Sequence, residues 1–260
     1  LQAGITYEEF PPEAGQTDGT LAHAIERSFV YLARSRGFDF VESDATAELF
    51  RLGWSDKNLD RYEMNTPAAL REAITGAKVV SFDLFDTIIT RPSLSPDAVQ
   101  AFVGEMLRAR LGRDDFAAVR KAAELEARAA KDWAGDVGFD EIYACFPGHW
   151  DAAARAEARR LEGEIEQRIV LPRPPMVAAV KQAQAAGERV LVVSDTYFDE
   201  DLVRGLLAAV GLDVPEIVLS NRYGARKDRG DLWKLLLDRA DVEPADWLHV
   251  GDNEVSDMQR

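Results

Sequence analysis

Lys78-Val79-Val80-Ser81-Phe82-Asp83-Leu84-Phe85-Asp86-Thr87-Ile88 sets the architecture that the rest of the chain follows. Its short apolar run, rich in β-branched residues, predicts a buried strand. The run stops abruptly on a carboxylate, Asp83, with Asp86 three residues on and Thr87 next. In an open α/β sheet, reactive groups gather just past the carboxyl ends of the strands, so an Asp there is placed for chemistry. A strand followed by an acidic turn is the other reading of the same residues. Three later stretches decide between them.

After Leu171-Pro172-Arg173-Pro174 strands alternate with helices. Helical spacing runs from Met176 to Ala186, from Asp199 to Val210 and from Asp231 to Ala240, the first two stopped by Gly187 and Gly211. Between them lie apolar runs at Arg189–Val193, Glu216–Leu219 and Trp247–Val250. This order implies βαβ units and a parallel sheet. From about Ser95 to Ile169 the pattern is helical throughout (Pro96–Leu111, Asp114–Trp133, Asp151–Ile169), with breaks at Gly135, Gly138 and Pro147-Gly148. The many charges of this insertion read as solvated helix faces.

Residues 1–19 read as a mobile lead-in, with turn signals at Pro11-Pro12 and Asp18-Gly19. Helices are predicted over 20–36 and 45–52, and Asn65-Thr66-Pro67 marks a further helix start. The expected fold class is therefore α/β: a doubly wound parallel-sheet, Rossmann-like core over 77–92 and 171–260, an inserted α-helical region over 93–170, and an N-terminal helical segment over 1–76.

The formal charge is −15, from 31 basic and 46 acidic residues, and a surface that acidic repels a phosphate backbone, which argues against a nucleic-acid partner. The single cysteine, Cys145, excludes an internal disulfide and any multi-cysteine metal site. Its apolar neighbours make it a small packed side chain rather than a nucleophile. No apolar run approaches the ~20 residues that span a bilayer. A cytoplasmic location is the default expectation. The start at Leu1 and the end at Arg260 are read as those of a piece of a longer chain, with the core shortened at its C-terminus.

Every strand is followed by polar residues: Asp83, Asp86 and Thr87; Ser194, Asp195 and Thr196; the basic loop Asn221–Gly230 with Lys227; and Gly251-Asp252-Asn253 with Asp257. Parallel connectivity puts them at one edge. Asp83, Asp252 and Asp257 brought together repel unless a counter-ion joins them. A hard divalent cation with oxygen ligands, Mg²⁺, resolves the conflict. Ser194 can donate to a phosphoryl oxygen, Lys227 can neutralise developing charge, and a carboxylate can attack phosphorus to give an aspartyl-phosphate.

These four stretches resemble, in order, the four motifs of the haloacid dehalogenase-like hydrolase superfamily, over roughly residues 77–260. The resemblance implies that Asp83 is the nucleophile, that Ser194 and Lys227 hold the phosphoryl group, and that Mg²⁺ is bound by Asp83, the Phe85 backbone carbonyl, Asp252 and Asp257. It makes the helical insertion a cap and Thr87 the residue that orients the first loop. It implies a Mg²⁺-dependent phosphohydrolase acting on a small phosphorylated metabolite such as a sugar phosphate.

One position departs from the family pattern. Phe85 stands where the phosphatases carry a general acid, as in the dehalogenases, while Asp252 and Asp257 supply a metal-binding pair that dehalogenases usually lack. Asp86 and Asp195 are candidate substitutes for the acid, or structural groups near the site. The wording Phe-Asp-Leu-Phe-Asp-Thr is also similar to that of domains fused to bacterial surface-polysaccharide glycosyltransferases. That resemblance implies an alternative, a catalytically weak module serving such a partner; a 2-haloacid dehalogenase is a third reading. His249 and Trp233 are read as packed side chains, His149 as a loop residue, and Arg226 and Arg229 as possible stand-ins for Lys227. Tyr197 and Phe198 wall the site or pack beneath the cap.

Overall fold

A computed structural model of the chain describes residue 36 and residues 66–92, 97–240 and 242–258. The predicted lead-in over 1–19, the helix over 20–36 apart from residue 36, and the helix over 45–52 lie outside the described residues. The chain divides between Thr66 and Pro67, and the sheet, the insertion and the site all belong to the unit Pro67–Arg260.

The elements run α1 (Pro67–Gly76), β1 (Val79–Phe82), β2 (Ile89–Thr90), α2 (Asp97–Leu111), α3 (Phe116–Ala129), α4 (Phe139–Ala144) and α5 (Ala152–Ile169). They continue with β3 (Leu171–Pro172), α6 (Pro174–Ala186), β4 (Arg189–Ser194), α7 (Glu200–Ala209), β5 (Glu216–Leu219), α8 (Ser220–Tyr223), α9 (Asp231–Ala240) and β6 (Trp247–Val250). A π-helical turn follows at Glu254–Met258. Helix α1 starts at the proline the sequence marks. It packs on α6 and buries Ile74, so it belongs with the sheet rather than with the residues before it.

Four strands form a parallel sheet in the order β5-β4-β1-β6. Side chains alternate between its faces, as a period of two demands. Val80, Phe82, Val190 and Val192 join the large core that also takes in the insertion. Val79, Leu191, Val193 and Val218 face the other way and pack with Leu232 and Leu236 of α9. Both faces are covered, which is why these strands read as continuous apolar runs. Helix ends follow local chemistry: Asp151 and Asp199 accept from Ala154 N and Leu202 N to cap α5 and α7. Gly187, at φ +84°, takes the left-handed turn that ends α6.

Three features differ from expectation. The two linkers of the insertion pair with each other, Ile89 with Pro172 and Thr90 with Leu171, as a short antiparallel ribbon. Two-residue strands carry no periodicity to read. The basic loop after β5 opens as a short helix, α8, closed by Gly224 at φ +60°.

The third concerns charge in the insertion. Arg120, Asp136, Glu162 and Glu166 are buried rather than solvated. Arg120 Nε lies 3.0 Å from Glu162, whose other donor is the Tyr143 hydroxyl at 2.5 Å. Arg91 grips Glu166 through Nε and Nη2, at 2.9 and 3.1 Å. Pairing within a low-dielectric interior makes such burial tolerable.

The insertion also touches the core around the loop after β5. Ser220 Oγ donates to Asp136 Oδ2 at 2.6 Å, and Arg229 donates to the Ala134 carbonyl. A Cβ at Gly135 would stand 2.9 Å from the Gly224 carbonyl, so only glycine allows this approach. Among the described residues no helix is long and apolar enough to cross a membrane.

Candidate active site

Parallel pairing brings the carboxyl ends of β1, β4, β5 and β6 to one edge of the sheet, where the predicted residues meet. Asp83 follows β1 directly, and its N–H donates to the Val250 carbonyl at 2.9 Å, extending the ladder with β6. Lys227 projects from the loop between α8 and α9, almost fully buried. Its ammonium sits 2.8 Å from Asp83 Oδ1 and 2.6 Å from Asp257 Oδ1. Asp252, exposed at the rim, completes a trio of carboxylates whose ligating oxygens all lie within 4.8 Å of one another.

Two of these carboxylates share one ammonium and the third has none, so the cluster carries more acidic than basic groups. Burial pushes the Asp83 carboxyl above its ordinary range, against the pull of Lys227. Burial and the charges of Asp83 and Asp86 push Asp252 up as well. Burial also disfavours a charge on Asp257, but the His249 ring and Lys227 outweigh it and hold that carboxyl well below the usual range. Burial disfavours the charge on Lys227, but its two carboxylate neighbours, Asp83 and Asp257, outweigh it and raise the pKa. An all-oxygen donor set with unbalanced charge fits a hard divalent cation.

Asp257 is held by the π-helical turn. The Asn253 side chain accepts from the N–H groups of Val255 and Ser256, at 3.0 and 3.1 Å, and folds the turn. Asn253 N in turn donates to Asp257 Oδ2 at 3.0 Å. Thr87, buried after β1, donates from Oγ1 to Asp252 Oδ1 at 3.3 Å, tying the first loop to the last. Ser194 is the buried last residue of β4, at the same edge.

The two candidate acids point elsewhere. Asp86 adopts φ +54°, a conformation costly for a residue with a Cβ, and its carboxylate accepts from Thr90 Oγ1 at 2.8 Å. Asp195 accepts the Lys227 N–H with both oxygens at 3.0 Å, and burial raises its carboxyl to about 6. It therefore braces the backbone of Lys227.

The Phe85 ring lies 4.1 Å from the Arg91 guanidinium and 6.1 Å from the Phe198 ring. Tyr197 and Phe198 pack against Phe139 of the insertion, at 5.8 and 5.3 Å, so they join the insertion to the core. Arg226 is taken by Asp228 and Arg229 by Ala134, which leaves Lys227 to serve the carboxylates. His149 stands in a loop beside Asp115, at 2.7 Å.

Sequence reasoning missed one contributor. His249 Nε2 stands 3.3 Å from Asp257 Oδ1, and its Nδ1 stands 2.8 Å from Ser81 Oγ. The available signal was register: Ser81 pairs with His249 across β1 and β6, two polar residues opposite each other in otherwise apolar strands. Burial lowers the His249 pKa.

No family model and no curated protein matches the chain. Solved structures do. L-2-haloacid dehalogenase from Xanthobacter autotrophicus is 19% identical, with 69% of this chain and 71% of that one covered and a TM-score of 0.44. A HAD-hydrolase bound to magnesium, YfnB from Bacillus subtilis, is 16% identical over 70% and 82%, with a TM-score of 0.47. A HAD phosphatase from Thermococcus onnurineus is 18% identical over 69% and 79%, with a TM-score of 0.41.

Proposed function

We propose that this chain is a hydrolase of the haloacid dehalogenase-like type that cleaves small phosphorylated metabolites, such as sugar phosphates, with Mg²⁺. One observation carries the reading: Asp83, at the end of the central strand, shares a buried ammonium with Asp257 while Asp252 lies within ligand distance of both. Asp83, Asp252 and Asp257, with the Phe85 carbonyl, would hold the cation. When bound, Mg²⁺ neutralises excess carboxylate charge and charge on the phosphoryl oxygens.

The chain's own groups account for the remaining steps. Lys227 and Ser194 fix the phosphoryl group, and one oxygen of Asp83 attacks phosphorus in line. The new O–P bond forms as the bond to the leaving oxygen breaks. That oxygen departs with the electron pair and takes a proton from solvent water, which the attacking water of the second step gives back. Water then cleaves the aspartyl-phosphate, releasing inorganic phosphate and restoring the Asp83 carboxylate. Lys227, held charged by two carboxylates and braced by Asp195, offsets the charge that builds on the equatorial oxygens.

The test is Mg²⁺-dependent phosphate release from a panel of sugar phosphates, abolished in Asp83→Asn. No release on the panel would sink the reading. Phe85 favours a second one, in which turnover is weak and the module serves an attached glycosyltransferase. Rapid hydrolysis would remove it. Halide release from a 2-haloacid that survives a chelator would instead support the dehalogenase reading.

A further inference from the structure

Behind Asp257, a line of hydrogen bonds runs through the sheet. Trp247, Ser81 and His249 lie on one face of β6 and β1, with Ser81 and His249 directly opposite in register. Trp247 Nε1 donates to Ser81 Oγ at 2.8 Å, Ser81 Oγ meets His249 Nδ1 at 2.8 Å, and His249 Nε2 meets Asp257 Oδ1 at 3.3 Å. The Trp233 ring meets the imidazole edge-on at 4.5 Å, and its Nε1 donates to the Ser256 carbonyl at 2.9 Å. One indole thus seats both the ring and the turn that carries Asp257.

Donor counting fixes the proton on the imidazole. An indole N–H can only donate, so Ser81 Oγ accepts from Trp247. Ser81 is fully buried, and among the described residues the acceptor left for its own proton is His249 Nδ1. An Nδ1–H ring would orphan that hydroxyl proton in the core, which is costly. Nδ1 is therefore bare and Nε2 carries the hydrogen, facing Asp257 Oδ1. Both contacts require the same tautomer.

We infer that His249 is a positioning residue: fixed as the Nε2–H tautomer by Trp247 and Ser81, it orients Asp257 for cation binding. Asp257 Oδ1 then takes two donors, His249 Nε2 and Lys227 Nζ, and Oδ2 takes Asn253 N. One lone pair on Oδ2 is left for a cation. The inference rests on the reading of Asp257 as a metal ligand. It adds that the affinity of the site is set partly from inside the sheet, by residues that touch neither metal nor substrate.

Two measurements on the full chain test it. Long-range proton–nitrogen NMR reads the His249 tautomer without added metal, and calorimetric titration with Mg²⁺ reads affinity. Expected are the Nε2–H form, Mg²⁺ affinity about 10- to 100-fold weaker in His249→Phe, and a smaller loss in Ser81→Ala. His249→Gln, whose amide can accept from Ser81 and donate to Asp257, should recover most of the affinity. An Nδ1–H ring would overturn the inference, as would unchanged Mg²⁺ affinity in a folded His249→Phe. If His249→Phe does not fold, a Ser81→Ala protein with unaltered tautomer and affinity overturns it equally. If the unaltered chain binds no Mg²⁺, the metal reading falls and the tautomer alone decides whether His249 holds Asp257.

Discussion

The insertion and the strand edge both bury ion pairs, and they balance them differently. In the insertion Arg120 meets Glu162, and Arg91 of the linker that leads into it meets Glu166, each cation with a buried carboxylate of its own. At the strand edge one ammonium serves Asp83 and Asp257 while Asp252 stands nearby. Charge that already has its partner makes no demand for a further ion; it fixes one arrangement of helices. Charge left in excess is a demand for a cation, met only when one binds. The contrast separates a structural network from a candidate site, although both use the same residue types.

Four changes would break or sharpen that contrast. Asp83→Asn should cost about 10³-fold or more in phosphate release while the fold persists, checked by turnover and thermal melting together. Arg120→Met should act the other way. Leaving Glu162 buried without its cation should cost about 3–5 kcal/mol in urea unfolding, with Mg²⁺ affinity unchanged.

The next effect is pH-dependent. Asp195 lies near 6 in the folded chain against an ordinary 3.8, so folding takes up a proton between those values. The stability it contributes is present below 3.8 and drains away as pH rises through about 6, by up to about 3 kcal/mol. Asp195→Asn removes that drain, so variant and parent should diverge between pH 4 and pH 7 in urea unfolding. The smallest of the four is Mg²⁺ itself. At one hundred times its dissociation constant it should stabilise the parent by about 2.7 kcal/mol, and Asp252→Asn less, at equal Mg²⁺.

The same contrast explains what the sequence could reveal. Apolar runs at Val79–Phe82, Arg189–Ser194, Glu216–Leu219 and Trp247–Val250 are legible because a strand covered on both faces is apolar throughout. Asp83, Lys227, Asp252 and Asp257 are legible because strand ends in a parallel sheet converge. The insertion's burials are not: Arg120 and Glu124 lie at helical spacing four apart, as exposed pairs do, and only packing puts one of them inside. Nor does the sequence show Asp86 turning away through a left-handed backbone that it shares with no glycine signal. His249 was hidden for a third reason, since its role depends on Ser81, 168 residues away in the chain.

The ribbon between Ile89–Thr90 and Leu171–Pro172 has a kinetic consequence. The central strand must find β4, whose Arg189 pairs with Val79 across a long stretch of chain. Closing such a loop costs entropy that grows with its length. Once the helices of the insertion have formed and the ribbon has closed at their base, the stretch that still wanders shrinks to the short pieces around it. That lowers the closure cost by roughly 1 kcal/mol, since each halving of a loop is worth about 0.6. The insertion would then act as a folding nucleus for the sheet it interrupts, and weakening the ribbon should slow refolding more than it hastens unfolding.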